Sequence, residues 1–272
     1  MAEGYNIPEL NSLDSMEGVD LELKLQQKFK NLLQDPDTDY SEILSRADLV
    51  QYDEDGHTGG AWWQANHGRM LDKLRPGTIM YEKLPSEIVE LFKTSLSEST
   101  LCDLGSAGAK MDWLASAYNA SLYISVDKFP NGLREVGEPI DPTIARMEIR
   151  RVRDMSNTNS DEKFPDLPLP TLHIRADMLD FLSRLKNSSA NVVINGIDGD
   201  IIPPEEYHQA LAVELLRVVK DGGLIFGNNS TCLGILRRMI DGNIELQRRF
   251  EIIDQNRHKL GVGGVVVIHK IK

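Results

Sequence analysis

The sequence has few cysteines, no long apolar run and no excess of basic residues. Only two cysteines, Cys102 and Cys232, occur in 272 residues, which excludes a disulfide-rich scaffold and is typical of a reducing compartment. No apolar segment approaches the roughly 20 residues that span a bilayer, and the first residues lack the basic and apolar regions of a signal peptide. We therefore expect a cytoplasmic protein that has no membrane partner.

The net charge of −12 argues against a protein that binds nucleic acid through a broad basic face. Residues 1–60 carry 14 acidic and 4 basic side chains, whereas the remaining 212 residues carry 28 and 26. We therefore divide the chain into an acidic, mainly helical N-terminal extension or lid, 1–84, and a nearly neutral domain, 85–272. Within the extension, the spacing of apolar residues in VDLELKLQQKFKNLL (19–33) predicts an amphipathic helix.

From residue 99 onward, strand and helix patterns alternate, which predicts an α/β fold with a Rossmann-like, mostly parallel sheet. The predicted parallel strands are STLCDLG, SLYISVD, TLHIRAD, NVVING and GLIFGN. The segments FEIIDQNR and GVVVIHKI are separated only by HKLGVGG, which is too short for a parallel crossover. They should therefore form an antiparallel C-terminal hairpin at the sheet edge and bring the count to seven strands.

One connection, 129–170, is much longer than the others and is rich in Pro and Asn. Connections of this length are usually functional lids or disordered insertions, and we interpret this one as an insertion into the domain. Four arginines lie in its middle, where they could face an anionic substrate or solvent: Arg146, Arg150, Arg151 and Arg153.

The turn after the first strand, DLGSAGAK (103–110), contains glycines that let the backbone approach a ligand. A dinucleotide site needs the pattern G-x-G-x-x-G, but its second and third glycines would fall on Ala107 and Lys110. A nicotinamide enzyme is therefore not expected. The remaining G-x-x-G pattern is equally consistent with tight packing of the strand against the next helix.

Polar residues stand at the ends of three further predicted strands, where open α/β sheets bind ligands. They are Asp127, Asp177 and the segment from Asn195 to Asp200. A carboxylate after the second strand suits the hydroxyls of a ribose, and one after the third can accept a hydrogen bond from an exocyclic amine. The alternative for each aspartate is a helix cap, an assignment that suits Asp177 better than Asp127.

Taken in order, DLGSAG, SVD, RADMLDFL and LLRVVKDGGLIFGN resemble the first, second, third and fifth motifs of class I S-adenosylmethionine-dependent methyltransferases. The resemblance covers roughly 85–272, and it implies that S-adenosylmethionine is the cofactor. It places Gly105, Ser106 and Gly108 at the methionine part of the cofactor and Asp103 at its amino group. It further places Asp127 at the ribose and Asp177 with Met178 at the adenine, and it adds Lys128 and Asn195 to the cofactor site.

In the fourth motif, IDGD is followed by GNNS, which resembles metal-dependent O-methyltransferases of the catechol type. This resemblance implies a Mg²⁺ ion held by Asp198, Asn228 and Asn229, which would lower the pKa of a substrate hydroxyl. The chain departs from that subgroup in having Asn228 in place of Asp, and Ile201 in place of a basic residue. The alternative is that the acidic residues form a turn and that the two asparagines cap the segment after them.

Two further residues are candidates for catalysis. Asp200 could supply a second carboxylate to the metal, and His57, close to Trp62 and Trp63, could act as a base behind aromatic walls, although these tryptophans could equally anchor the extension. The predicted function is therefore O-methylation of a small molecule. The alternatives are a non-catalytic scaffold with this fold and methylation of RNA or protein. No motif specifies an oligomeric state.

Overall fold

A computed structural model describes residues 16–37, 85–105, 111–127, 146–151, 168–194, 205–228, 231–254 and 265–271. The helices are α1 (Met16–Leu32), α2 (Ser86–Leu96), α3 (Asp112–Ala117), α4 (Met178–Arg184), α5 (Glu205–Val218), α6 (Thr231–Asp241) and α7 (Ile244–Arg249). The strands are β1 (Thr100–Leu104), β2 (Leu122–Asp127), β3 (Arg146–Arg151), β4 (Pro168–Arg175), β5 (Asn191–Ile194), β6 (Leu224–Asn228), β7 (Phe250–Asp254) and β8 (Val265–Lys270). None of the described helices is both long and apolar enough to cross a lipid bilayer.

The strands form one sheet in the order β3-β4-β2-β1-β5-β6-β8-β7. Strands β4, β2, β1, β5 and β6 are parallel to their neighbours in this series, and the chain order reverses between β1 and β5. Strands β7 and β8 pair antiparallel, and β8 also pairs antiparallel with β6. The mostly parallel α/β sheet and the antiparallel C-terminal hairpin expected from the sequence are both confirmed.

Within the described residues the sheet has eight strands, one more than the seven predicted. Strand β3 arises from the segment interpreted as an insertion and pairs antiparallel along β4, from Arg146 opposite His173 to Arg151 opposite Pro168. The other end of that segment, from Pro168 onward, belongs to β4. An edge strand needs partners on one side only and tolerates charged residues that block further pairing. The sequence RMEIRR therefore carries three arginines and lacks the apolar pattern by which the other strands were predicted.

Helices cover both faces of the sheet. One face packs against α1, α4, α5 and α6 through Cys102, Leu104, Ile124, Val192 and Ile225. The opposite face packs against α2 and α3 through residues that alternate with these along the same strands, namely Leu101, Tyr123, Val193, Leu224 and Phe226. The central strand β5 is buried along its whole length, which explains its continuous apolar sequence.

The end of the sheet where the parallel strands begin is held by a buried amide. The side chain of Asn191, at the start of β5, donates to the carbonyl of Ser95 (2.9 Å) and to the hydroxyl of Ser99 (2.8 Å). Its Oδ1 accepts from the backbone N–H of Leu224 (2.8 Å) at the start of β6. These bonds fix the starts of neighbouring strands, and with them the frame that carries the opposite edge.

Helix α1 is part of the main core, although it belongs to the segment predicted as an N-terminal extension. Leu25, Phe29 and Leu33 are buried, and the ring of Phe29 lies parallel to that of Phe181 in α4, with 6.5 Å between centroids. The predicted amphipathic helix is confirmed. The division of the chain at residue 84 stays a prediction, because 38–84 lies outside the described residues.

Candidate functional site

The carboxyl ends of the five parallel strands form one edge of the sheet, and the predicted site residues follow them. The last residues of these strands are Leu104, Asp127, Arg175, Ile194 and Asn228. In doubly wound sheets, ligands bind at this edge, next to the point where the strand order reverses. That point lies here between β1 and β5.

The turn that follows β1 begins with a backbone conformation that glycine adopts more readily than other residues. Gly105 has φ = 72°, a left-handed conformation that a side chain would disfavour. Its backbone N–H donates to the carbonyl of Val126 in β2 (2.9 Å). The described chain resumes at Met111, which precedes the first residue of α3. Ser106 and Gly108, predicted to approach the cofactor, lie outside the described residues.

Asp103 is fully buried near the end of β1. Its Oδ2 accepts a short hydrogen bond from the hydroxyl of Tyr123 and a second from the backbone N–H of Met111 (3.2 Å). Burial and the negative charge of Asp103 raise the pKa of the Tyr123 hydroxyl well above its usual value, so this hydroxyl stays protonated and donates. The structure thus places Asp103 in a network under α3.

Asp177 caps the helix that follows β4. Its Oδ1 accepts from the backbone N–H groups of Leu179 (2.9 Å) and Asp180 (3.3 Å). The hydroxyl of Tyr207, from the first turn of α5, lies 3.0 Å from both carboxylate oxygens. The capping alternative is therefore present in the structure, and the predicted adenine contact stays a prediction. Met178, its predicted companion, is partly buried and packs against the main core.

Asp127 is the last residue of β2 and pairs with Arg175 of β4 in the parallel register. It therefore lies at the carboxyl edge between the ends of β1 and β4, as the ribose prediction requires. The position of its side chain is outside the described part of the chain, as is Lys128.

The ends of β5 and β6 approach each other closely. Ile194 pairs with Gly227, and a Cβ atom at Gly227 would fall well inside van der Waals contact of the Ile194 carbonyl oxygen. Asn228 follows as the last residue of β6, opposite Val265 of β8. Segments leaving β5 and β6 therefore start side by side.

The predicted catalytic and metal residues lie largely outside the described ranges. This holds for His57, Asp198, Asp200 and Asn229, and for the side chain of Asn228. Asn195, predicted for the cofactor site, also lies outside these ranges. Within the described ranges, no group of three His, Cys, Asp or Glu side chains is placed to hold a metal ion. The Mg²⁺ site therefore stays a prediction.

Two tyrosines were missed in the sequence analysis, although each holds one of the predicted aspartates. Tyr123 lies in a buried strand between apolar residues, where a phenol requires a hydrogen-bond partner. Tyr207 stands at the start of an amphipathic helix that follows the fourth motif. The burial of both could be inferred from their neighbours in the sequence, but their partners could not.

A groove of about 490 Å³ lies at the other end of the molecule. Leu216, Met239 and Phe250 contribute its apolar wall, and Arg217 and Lys270 lie at its polar side. Two of the three cations that line it have acidic partners, since Arg217 binds Glu214 and Lys270 binds Asp221 (2.8 Å). The groove lies at the end of the sheet where β5 begins, so it is separate from the edge that carries the predicted site.

No family model matches the sequence, and no curated protein matches it. Solved structures do show likeness. A protein from Streptococcus mutans, described as a methyltransferase and solved with S-adenosylhomocysteine, has 12% identity and a TM-score of 0.41 over 70% of this chain and 99% of its own. An rRNA methylase from Streptococcus thermophilus has 12% identity and a TM-score of 0.42 over 70% and 98%. A precorrin-6y C5,15-methyltransferase from Geobacter metallireducens has 14% identity and a TM-score of 0.35 over 70% and 92%.

The order and direction of the strands define the architecture of this chain. The fold is Rossmann-like. It consists of five parallel strands with the reversal next to β1, an antiparallel hairpin after β6, and helices on both faces. This fold presents aspartates at the ends of β1, β2 and β4, which are adjacent strands.

Proposed function

We propose that the protein is an S-adenosylmethionine-dependent methyltransferase that binds its cofactor at the carboxyl edge of β1, β2 and β4. The observation that supports this most directly is a row of three aspartates at one edge of the sheet, with Asp103 near the end of β1, Asp127 at the end of β2 and Asp177 just after β4. Neighbouring strands lie about 4.8 Å apart, so the three strands span roughly 10 Å across the sheet. This is the scale of a nucleoside with a short extension.

The chemistry of the row agrees with a nucleoside ligand. Carboxylates accept hydrogen bonds from ribose hydroxyls and from an exocyclic amine. A dinucleotide is disfavoured because the turn after β1 has Ala107 and Lys110 where its fingerprint requires glycine. The left-handed Gly105 supports a close backbone approach at the turn, next to the strand-order reversal.

For the methyl acceptor, we propose an oxygen atom of a small molecule. Support comes from the adjacent ends of β5 and β6, because Asp198 follows β5 in the sequence, and Asn228 ends β6 and is followed by Asn229. Their oxygen atoms are ligands that suit Mg²⁺, and a bound Mg²⁺ would lower the pKa of an acceptor hydroxyl. Asp200 could supply a second carboxylate to the ion, and His57 is the candidate to receive the hydroxyl proton.

The reaction is an in-line transfer. The acceptor oxygen attacks the methyl carbon of the sulfonium, the carbon–sulfur bond breaks, and S-adenosylhomocysteine leaves with both electrons of that bond. The requirement on the protein is chiefly alignment of the two substrates in a site that excludes water, with a base where the acceptor is protonated.

Calorimetry tests the cofactor. S-adenosylmethionine and S-adenosylhomocysteine should bind, whereas NAD should not. Asp127→Ala should weaken binding about 10- to 100-fold, because hydrogen bonds to a charged group contribute about 1.5–3 kcal/mol. Asp241→Ala, at the exposed end of α6, is the matched control and should leave binding unchanged. Failure of both adenosyl ligands to bind the unaltered protein would overturn the proposal.

Turnover tests the acceptor and the metal. Release of S-adenosylhomocysteine would be measured with hydroxyl-bearing small molecules, and with RNA and protein as separate arms, under titration with Mg²⁺ or a chelator. We expect small-molecule turnover with a millimolar dependence on Mg²⁺, about 4 kcal/mol of binding, and its loss in Asp198→Asn. Full turnover in chelator would eliminate the metal mechanism. Cofactor binding without turnover in any arm would favour a non-catalytic scaffold.

A further inference from the structure

Strand β2 holds both described ends of the turn that follows β1. At the first end, the N–H of Gly105 donates to the carbonyl of Val126 (2.9 Å). At the second end, the N–H of Met111 lies 3.2 Å from the hydroxyl oxygen of Tyr123 and 3.2 Å from Oδ2 of Asp103. The turn is therefore attached twice to one strand, through the backbone on one side and through a buried side-chain pair on the other.

The buried pair is costly unless its polar atoms are satisfied. Asp103 and Tyr123 are both inaccessible to solvent, and a buried carboxylate without partners would destabilise the fold by several kcal/mol. Tyr123 donates its only hydroxyl proton to Asp103, and the Met111 N–H is shared between the two side chains. The three groups thus depend on one another, so that the carboxylate, the phenol and the backbone of Met111 form one unit.

We propose that Asp103 and Tyr123 are a positioning pair, which presets the turn after β1 for the cofactor by holding the backbone of Met111. This inference rests on the proposed function, and it changes the role expected for Asp103. In this role Asp103 acts through Met111, whose backbone N–H donates to its fully buried carboxylate. A preset turn raises affinity by lowering the entropy lost when ligand binds.

The part of the cofactor that depends on this pair follows from its place at the end of β1. The adenosine part is assigned to the ends of β2 and β4, whereas the homocysteine part lies at the turn. Loosening the turn should therefore weaken ligands that carry the amino acid part and spare 5′-methylthioadenosine, which lacks its amino and carboxyl groups.

The test compares Tyr123→Phe with Tyr118→Phe. Both remove one hydroxyl from a buried tyrosine in the same core, but Tyr118 lies at the C-cap of α3, the other end of that helix from Met111. Calorimetry would use S-adenosylhomocysteine and 5′-methylthioadenosine, and amide hydrogen exchange would follow Met111 in the ligand-free protein. We expect Tyr123→Phe to weaken S-adenosylhomocysteine about 10-fold, to change 5′-methylthioadenosine less than twofold and to speed exchange at Met111.

A second variant, Asp103→Asn, guards against a simple loss of folding in Tyr123→Phe. If the two side chains act as one unit, the double variant should bind S-adenosylhomocysteine no more weakly than the weaker single variant. The proposed pair would be overturned if both ligands bound equally more weakly, if the effects of the two substitutions on binding were additive, or if hydrogen exchange at Met111 were unchanged. If the unaltered protein binds neither ligand, the proposed function fails, and exchange at Met111 still decides whether the pair holds the turn.

Discussion

Two of the predicted cofactor aspartates are held by tyrosine hydroxyls from other elements. Tyr123 of β2 binds Asp103 of β1, and Tyr207 of α5 binds Asp177 after β4. A hydroxyl donor stabilises the ionised carboxylate and restricts its orientation. At the scale of single residues, hydrogen bonds within the protein thus orient these two side chains at the edge.

Asp177 caps a helix and also lies in the candidate site. A second capping residue, which lies outside that site, allows the effect of losing a cap to be measured by itself. Asn243 caps α7 with nearly the same geometry, accepting from Glu245 N–H (2.9 Å) and Leu246 N–H (3.3 Å). Asn243→Ala should lower the free energy of unfolding by about 1 kcal/mol. Asp177→Ala should lower the free energy of unfolding by about 1–3 kcal/mol, since it also removes the carboxylate to which the Tyr207 hydroxyl donates.

Urea unfolding and calorimetry with S-adenosylhomocysteine would measure both variants. We expect weaker binding in Asp177→Ala alone, because only this cap lies at the carboxyl edge. If both variants bind S-adenosylhomocysteine as the unaltered protein does, Asp177 is a cap and nothing more.

Gly227 is needed for the close approach of β5 and β6. Gly227→Ala would push its new methyl group into the carbonyl oxygen of Ile194, and we expect a loss of about 1–3 kcal/mol in the free energy of unfolding. Gly234→Ala is the matched control. Its Cβ would meet nothing nearer than Arg238 at 3.9 Å, and alanine is favoured over glycine in a helix by about 1 kcal/mol. The midpoint of thermal unfolding should therefore fall in Gly227→Ala and rise in Gly234→Ala.

At the scale of elements, α1 behaves as a helix of the core. The residues that follow α1 and α4 form an antiparallel bridge: Gln34 N–H donates to the carbonyl of Arg184 (2.8 Å), and Lys186 N–H to that of Leu32 (2.7 Å). Helices α1 and α4 are far apart in the sequence, but backbone hydrogen bonds and apolar contacts hold them together. Removal of this helix would expose the face of α4 and the sheet residues beneath it.

Substitutions in α1 test its contribution. Phe29→Ala should lower the free energy of unfolding by about 3–5 kcal/mol, because a large buried ring leaves a cavity against Phe181. Leu23→Ala lies on the same helix at 58% exposure and should change stability by no more than about 0.5 kcal/mol. Denaturant titrations would compare the two. Similar small effects would show that α1 is separable from the domain, as the division at residue 84 supposes.

At the scale of the whole molecule, the two cysteines report on cooperative unfolding. Neither Cys102 in β1 nor Cys232 in α6 forms a disulfide, and both are fully buried. Burial and the charge of Asp103 raise the pKa of the Cys102 thiol far above its usual value, and the thiolate is the reactive form. Labelling of the native protein therefore requires opening of the fold.

We expect both thiols to react with a disulfide reagent at the same slow rate, which rises with urea. S-adenosylhomocysteine at about 100 times its dissociation constant should slow labelling about 100-fold, because binding to the native state contributes about 2.7 kcal/mol. Fast reaction of one thiol would reveal local opening around that element. An unchanged rate in saturating ligand would contradict binding to the native fold.

The local periodicity of the chain determined most of the fold. Alternating strand and helix patterns in 99–272 were enough to predict the five parallel strands, and the short link between β7 and β8 was enough to predict their hairpin. The helical spacing of apolar residues in 19–33 predicted α1. The aspartates at strand ends could be placed on one edge for the same reason, since parallel strands end together.

Contacts between distant elements decided the rest. The pairing of Tyr123 with Asp103 joins residues 20 apart, and that of Tyr207 with Asp177 joins residues 30 apart, and neither partner is encoded by local spacing. The placement of α1 on α4 and of β3 along β4 also depends on which surfaces become neighbours after the sheet forms. Local pattern specifies the direction of a side chain within its own element, but only the assembled sheet brings it within hydrogen-bonding distance of its partner.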